Sequence, residues 1–108
     1  MGFEIRPDIA ATLSTVPDVT GFEQPPATGK TGDAFPQWNG GEVVAPGLFE
    51  TGWVIHVLLP NMDVKARDAW INSHLGLLVQ ALQPILWTMA VGPGTWQETP
   101  TLMLTCKE

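Results

Sequence analysis

Residues 53–86, WVIHVLLPNMDVKARDAWINSHLGLLVQALQPIL, constrain the fold of this chain more than any other stretch. The first part alternates, with Trp53, Ile55, Val57 and Leu59 on one side of an extended strand and Val54, His56 and Leu58 on the other. Both sides are largely apolar, which places the strand inside a sheet and covers at least part of each face. Pro60 ends it, and Asn61 or Asp63 can cap the next helix by accepting a hydrogen bond from one of its free N–H groups. From about residue 63 to residue 83 the period becomes that of a helix, and Pro84 stops it. Val64, Ile71, Leu75, Leu78 and Leu82 form the main apolar stripe, interrupted by Asp68, with Ala66, Trp70, Leu77 and Ala81 beside it. A helix packed only on its own sheet needs a narrower stripe than these two lines make together. The surplus is expected either to be buried more deeply within the monomer or, the favoured reading, to contribute to a contact between subunits.

The flanks read as a short helix and further strands. Over residues 7–15, Pro7 suits a first helical turn, where its missing N–H has no partner to lose. Asp8 complements the positive end of the helix dipole, and Ile5, Ile9, Leu13 and Val16 make one stripe before Pro17. Residues 19–22 are expected as a short edge strand. Residues 23–32, EQPPATGKTG, have almost no apolar content and no period, and read as a loop that is mobile or ordered by a partner. Residues 33–38 are expected to be extended, with Pro36 at an edge or bulge. Asn39-Gly40-Gly41 signals a hairpin turn, residues 42–44 pair back across it, and Pro46-Gly47 makes a second break. Past the long helix, residues 85–91 alternate and Gly92-Pro93-Gly94 breaks them; residues 96–100 connect to a half-buried last strand over 101–107. The expected fold is one α+β domain over residues 1–108, a mostly antiparallel sheet flanked by two helices, with long loops at 23–34 and 39–50.

A chain of 108 residues supports a single modest core. Its 44% hydrophobic content excludes a wholly disordered chain, and 11 Gly with 10 Pro point to long irregular connections. The formal charge is −6, and the basic residues Arg6, Lys30, Lys65, Arg67 and Lys107 are scattered. Gripping a phosphate backbone takes clustered Lys or Arg, so nucleic acid is rejected as a tightly held ligand. An acidic wall is compatible with DNA sliding past without sticking. Cys106 is the sole cysteine, which rules out an internal disulfide and suggests a reducing compartment. The opening MGFEIRPDIA has no secretory pattern, and Arg6 stands where myristoylation requires Ser or Thr. No apolar run approaches the roughly 20 residues that span a bilayer. The expectation is a soluble protein made inside a cell, with no membrane partner.

Chemistry-bearing residues are sparse. His56 lies mid-strand and His74 in the helix, without metal-ligand spacing. Ser73 and His74 are neighbours on a helix and diverge by about 100°, so they make no nucleophile–base pair. Cys106 reads as a small core residue. The carboxylates Glu42, Glu50, Asp63, Asp68 and Glu98 are dispersed and read as solvated surface rather than an acid–base pair. Gly29-Lys30-Thr31 is not a phosphate-binding loop, because Gln24 stands where that motif needs Gly. No catalytic, metal or cofactor site is expected. The chain has 5 Trp and no Tyr. Trp53, Trp70 and Trp87 fit the core pattern, whereas Trp38 and Trp96 lie in turn-rich segments. Those two are either exposed interface anchors or caps on the sheet ends.

Three segments carry a family resemblance in chain order: the first helix with VPDVTGFEQPP; GDAFPQW leading into GWVIHVLLP; and DAWINSHLGLLVQALQPI with a strand, a Gly/Pro turn and TLMLTCKE. Together they resemble the tail terminator (tail-completion) proteins of long-tailed, non-contractile bacteriophages, especially those of actinobacterial hosts. The resemblance spans nearly the whole chain but contains no invariant catalytic signature. It implies a small sheet-and-helix protein that assembles as a hexameric ring on the finished tail tube. Such a ring stops addition of the major tail tube protein and offers a surface to the head–tail connector in the neck, with DNA only passing through the lumen. Its place would be the virion, after assembly in the host cytoplasm. It would use no cofactor and catalyse no reaction. A ring needs two different patches per subunit, and the loops at 23–32 and 39–49 are the segments expected to bridge neighbours. Lys30, Trp38, Glu42, Phe49, Trp70 and Trp96 are the candidate interface residues. The alternatives are another neck protein, such as a connector stopper, and a small hydrolase or ligand-binding domain. The last requires His56, His74 or Cys106 to meet in a pocket.

Overall fold

The computed structural model describes residues 5–60 and 63–108, without the side chain of Phe49. Its elements run α1 (Arg6–Leu13), β1 (Thr20–Gly21), β2 (Asp33–Ala45), β3 (Leu48–Leu58), α2 (Val64–Leu82), β4 (Trp87–Trp96) and β5 (Thr99–Lys107). They form one five-stranded sheet in the order β1-β2-β3-β5-β4. The two-residue β1 is parallel to β2, and every other pairing is antiparallel. Both β3 and β4 oppose β5, so they run parallel to one another. A return in the same direction needs a long crossover, and α2 supplies it. The fold is α+β, as the periodicities indicate.

Both helices pack on one face. Trp53, Ile55 and Val57 of β3, with Leu102, Leu104 and Cys106 of β5, meet Ile9 and Leu13 of α1 and Leu78 and Leu82 of α2 in a single core. Period 2 in the strands and period 3.6 in the helices put these residues on facing surfaces. The N-terminus of α2 is fixed by Asp63, whose carboxylate accepts the Ala66 N–H at 2.7 Å. Asn61, the other candidate cap, lies outside the described residues. The opposite face of the sheet has a thinner cover. Segment 22–32 lies over it there, enclosing a cavity of about 60 Å³ with Phe35, Leu58 and Trp96.

That segment is held by its own chain. Arg6 Nη1 donates to the Glu23 carbonyl at 3.0 Å and to the Pro36 carbonyl at 3.3 Å. Lys30 N–H donates to Asp33 Oδ2 at 2.9 Å, and Gly32 N–H donates to the Leu58 carbonyl at 2.8 Å. No partner is needed to anchor it.

The turns differ from the sequence expectation at two places. The hairpin expected at Asn39-Gly40-Gly41 is a bulge inside β2, where the register slips between Trp38 and Gly41. Gly40, at φ 79°, supplies the left-handed residue such an irregularity uses. The chain reverses instead at Pro46-Gly47, with Gly47 at φ 78°; Pro then Gly at the centre is what a type II turn favours. The expected loop 39–50 is thus mostly a β-ribbon, and residues 33–34 of the other expected loop are strand. Likewise Gly92-Pro93-Gly94 does not break the second hairpin: β4 runs through it to Trp96. The reversal is at Gln97-Glu98, at φ 48° and 68°, the signs a tight two-residue β-hairpin turn requires.

Candidate functional site

The six candidate residues fall in three places rather than one. Trp38 and Glu42 lie on the β2–β3 ribbon, Trp38 about half exposed and Glu42 exposed opposite Glu50. Phe49 pairs with Val43 there through its backbone. Lys30 is exposed in the segment over the thinner face. Trp96 is half-buried near that segment, edge-on to Phe35 with centroids 4.9 Å apart. This fits the cap role better than the anchor role. Trp70 is half-buried on the helical face and stacks on His74 at 4.0 Å.

Neither histidine forms a catalytic pair with the other or with Cys106. His56 is buried between Gln37 Oε1, 2.9 Å from Nε2, and Thr101 Oγ1, 3.3 Å from Nδ1. A neutral ring with its proton on Nε2 donates to Gln37 and accepts from the Thr101 hydroxyl, so both contacts are met. Burial holds the His56 pKa below its ordinary value. Phe35 stacks against the same ring at 5.4 Å. His74 sits elsewhere, its Nδ1 2.7 Å from the Trp70 carbonyl and its Nε2 3.2 Å from Asp18 Oδ2. It thereby ties the turn after α1 to α2. Burial pushes the Cys106 thiol up, only partly offset by its contact with Thr88, which is opposite to what a nucleophilic thiolate needs. Among the described residues, no group of three or more His, Cys, Asp or Glu is placed to hold a metal, and no helix is long and apolar enough to cross a membrane.

What the surface does carry is exposed apolar area at separate places. The ribbon over residues 41–50 extends past the last pairing of β5, which joins Lys107 to Gly52. It exposes Val43 (71%), Val44 and Leu48. On the far side of the sheet, β4 exposes Trp87 (74%), Met89 and Val91. The alternation in sequence assigns Trp87 to the core. It lies outside because β4 is an edge strand with a bulge between Thr88 and Ala90 that disrupts that alternation. Val64 (62%) and Leu77 are exposed on α2, while His74 takes a buried place among the stripe residues. Between ribbon and β4 lies an open groove of about 240 Å³, lined in part by Gly41, Glu42, Gly52, Met89 and Thr105. At its rim Lys107 Nζ meets Glu50 Oε2 at 2.8 Å, and that bond raises the Lys107 pKa.

Sequence reading missed Arg6, Gln37, Val43, Val44, Leu48, Met89 and Val91 as residues of consequence. The signal available for the β4 group was ten consecutive residues without a charge, WTMAVGPGTW. Among the described residues, every buried side-chain nitrogen and oxygen already has a hydrogen-bond partner. The chain matches no protein-family model and no curated protein sequence.

Proposed function

We propose that this protein is a structural component of a bacteriophage virion, a tail terminator that caps the tail tube as a homo-oligomeric ring. It acts by binding rather than by catalysis. It stops addition of the major tail tube protein and presents its other side to the head–tail connector. The observation that carries the reading is the placing of exposed apolar side chains at two separated sides of one sheet, on the ribbon and on β4. A ring needs two different patches on each subunit. The sheet flanked by helices and the three-segment resemblance support the same reading. So does the charge of −6, since an acidic lumen lets DNA pass without adhesion.

Electron microscopy of tails assembled without this protein tests the proposal. Overlong tubes are expected, with normal length restored by the purified protein. Tails of normal length on heads that lose their DNA would make it a stopper instead. Normal tails on sealed heads would remove it from the neck altogether.

A further inference from the structure

We propose that copies of this chain join by strand pairing, the outer edge of β2 in one copy running antiparallel along the outer edge of β4 in the next. This deepens the ring reading and rests on it for closure of the ring, while the contact itself is argued from the two edges.

Among the described residues, neither the outer edge of β2 beyond Ala34 nor that of β4 is paired with another strand. On one side β1 covers only Asp33 and Ala34 of β2, and Arg6 takes the Pro36 carbonyl. On the other, no strand among the described residues lies outside β4. From β2 through β3 and β5 to β4 the directions alternate. Successive copies that keep the same sense therefore bring β4 against β2 antiparallel, and the sheet continues without a parallel step.

The backbone polarity fits. Leu59 N–H donates to the Pro100 carbonyl, so by alternation Thr101, Met103 and Thr105 turn their backbone groups towards β4. Their partners Gly94, Gly92 and Ala90 face inward, which leaves Val91 and Pro93 facing out. Pro93 has no N–H to give, so Val91 supplies the outward donor of this stretch. On β2, Gly41 pairs with Thr51, whose carbonyl is turned the other way to accept Glu108 N–H. Gly41 therefore faces outward, and two residues on so does Val43.

The side chains point to a second copy as the occupant. β4 carries no charge, lacking the lysines that usually guard a free edge. The acidic ribbon, with Glu42 and Glu50, meets no like charge there. A two-stranded ribbon is marginal in water by itself, and this one carries Val43, Val44 and Leu48 exposed. Pairing of β4 with β4 would leave the ribbon uncovered, whereas head-to-tail pairing covers both. Trp87 is level with Gly52 at the ribbon base, through Lys107, so the neighbour is shifted along the strands. Closing a sheet requires such a stagger.

The test compares Val91→Pro, which removes the outward N–H and spares the inward ladder, with Val91→Thr, which keeps it. Mass is measured across a concentration series, and far-UV circular dichroism with urea unfolding checks that each variant folds. Wild type and Val91→Thr are expected to assemble, with Val91→Pro weaker by about tenfold or more. Val91→Pro that folds and assembles like wild type overturns the proposal. Should Val91→Pro not fold, a Val43→Cys/Val91→Cys double variant decides. Under oxidation it should give a ladder of covalent multimers that neither single variant gives. No ladder, or covalent dimers from Val91→Cys alone, overturns the head-to-tail contact. A ring that forms by this contact and leaves tail length uncontrolled supports the contact and sinks only the terminator reading. Val91→Pro that still caps tubes as a full ring sinks only the contact.

Discussion

At the scale of single residues, buried polar groups set testable energetics. His56 is held neutral by burial, its pKa below the ordinary 6.5. The unfolded chain takes the proton near 6.5 while the folded chain resists it. Stability from this residue is therefore complete above that pH and is lost as the pH falls below it, towards the depressed folded value. His56→Leu leaves Gln37 and Thr101 without their partner and should cost about 1–3 kcal/mol near neutral pH. The gap between wild type and variant should narrow by about pH 5, where wild type also pays to keep the ring neutral. Urea unfolding at both pH values measures it, and an undiminished gap would show that His56 is not the titrating group. The histidine was legible as a mid-strand structural residue, but its partners were not. Gln37 and Thr101 are 19 and 45 residues away in the chain, brought together only by the register of three strands. The tryptophans teach the same point. Trp53 is fully buried because its strand is central, whereas Trp87, equally apolar in sequence, is 74% exposed because its strand is at an edge.

At the scale of elements, the helices and the central strand were readable because each carries its own period. So were the break at Pro46-Gly47 and the connection at 96–100, while the other glycine-rich stretches were misleading. Gly40 sits in a bulge, Gly92 and Gly94 lie within a continuous strand, and the second hairpin turns on Gln97-Glu98 without any glycine. Glycine signals permission for unusual backbone, and bulges use that permission as readily as turns do. Two predictions belong here. Replacing Gln97-Glu98 by Asn-Gly puts residues that tolerate positive φ where the backbone has it, and should stabilise by about 1 kcal/mol. A lower urea midpoint for that variant would mean these side chains contribute more than their strain costs. Asp63→Ala removes the carboxylate that caps α2 and should cost about 1 kcal/mol. Thermal unfolding checks it, with Asp63→Asn expected to recover most of the loss, since its amide oxygen can still accept from Ala66.

At the scale of the whole molecule, the fold class follows from periodicities, but which strands become edges follows from topology. The α2 crossover lands beyond β5, making β4 an edge, and β1 stops after two residues, leaving most of β2 open. Neither fact is written in local pattern. Assembly through these edges would bring together subunits that each carry a formal charge of −6, joined by backbone hydrogen bonds and uncharged side chains. Long-range repulsion then opposes association, while the contact itself contains little that salt can weaken. The Debye length shrinks from about 14 Å near 0.05 M salt to about 4 Å near 0.5 M. Raising salt over that range should therefore tighten assembly, the reverse of an interface built on ion pairs. Because partners that bind only the folded chain stabilise it by mass action, the melting temperature should also rise with protein concentration, and more steeply at high salt. Val91→Pro should show a smaller rise of melting temperature over the same concentrations at either salt level. Sedimentation and thermal unfolding across the two salts measure both effects. Assembly that dissolves as salt rises would mean that charge pairs, not the uncharged β4 edge, hold the subunits together.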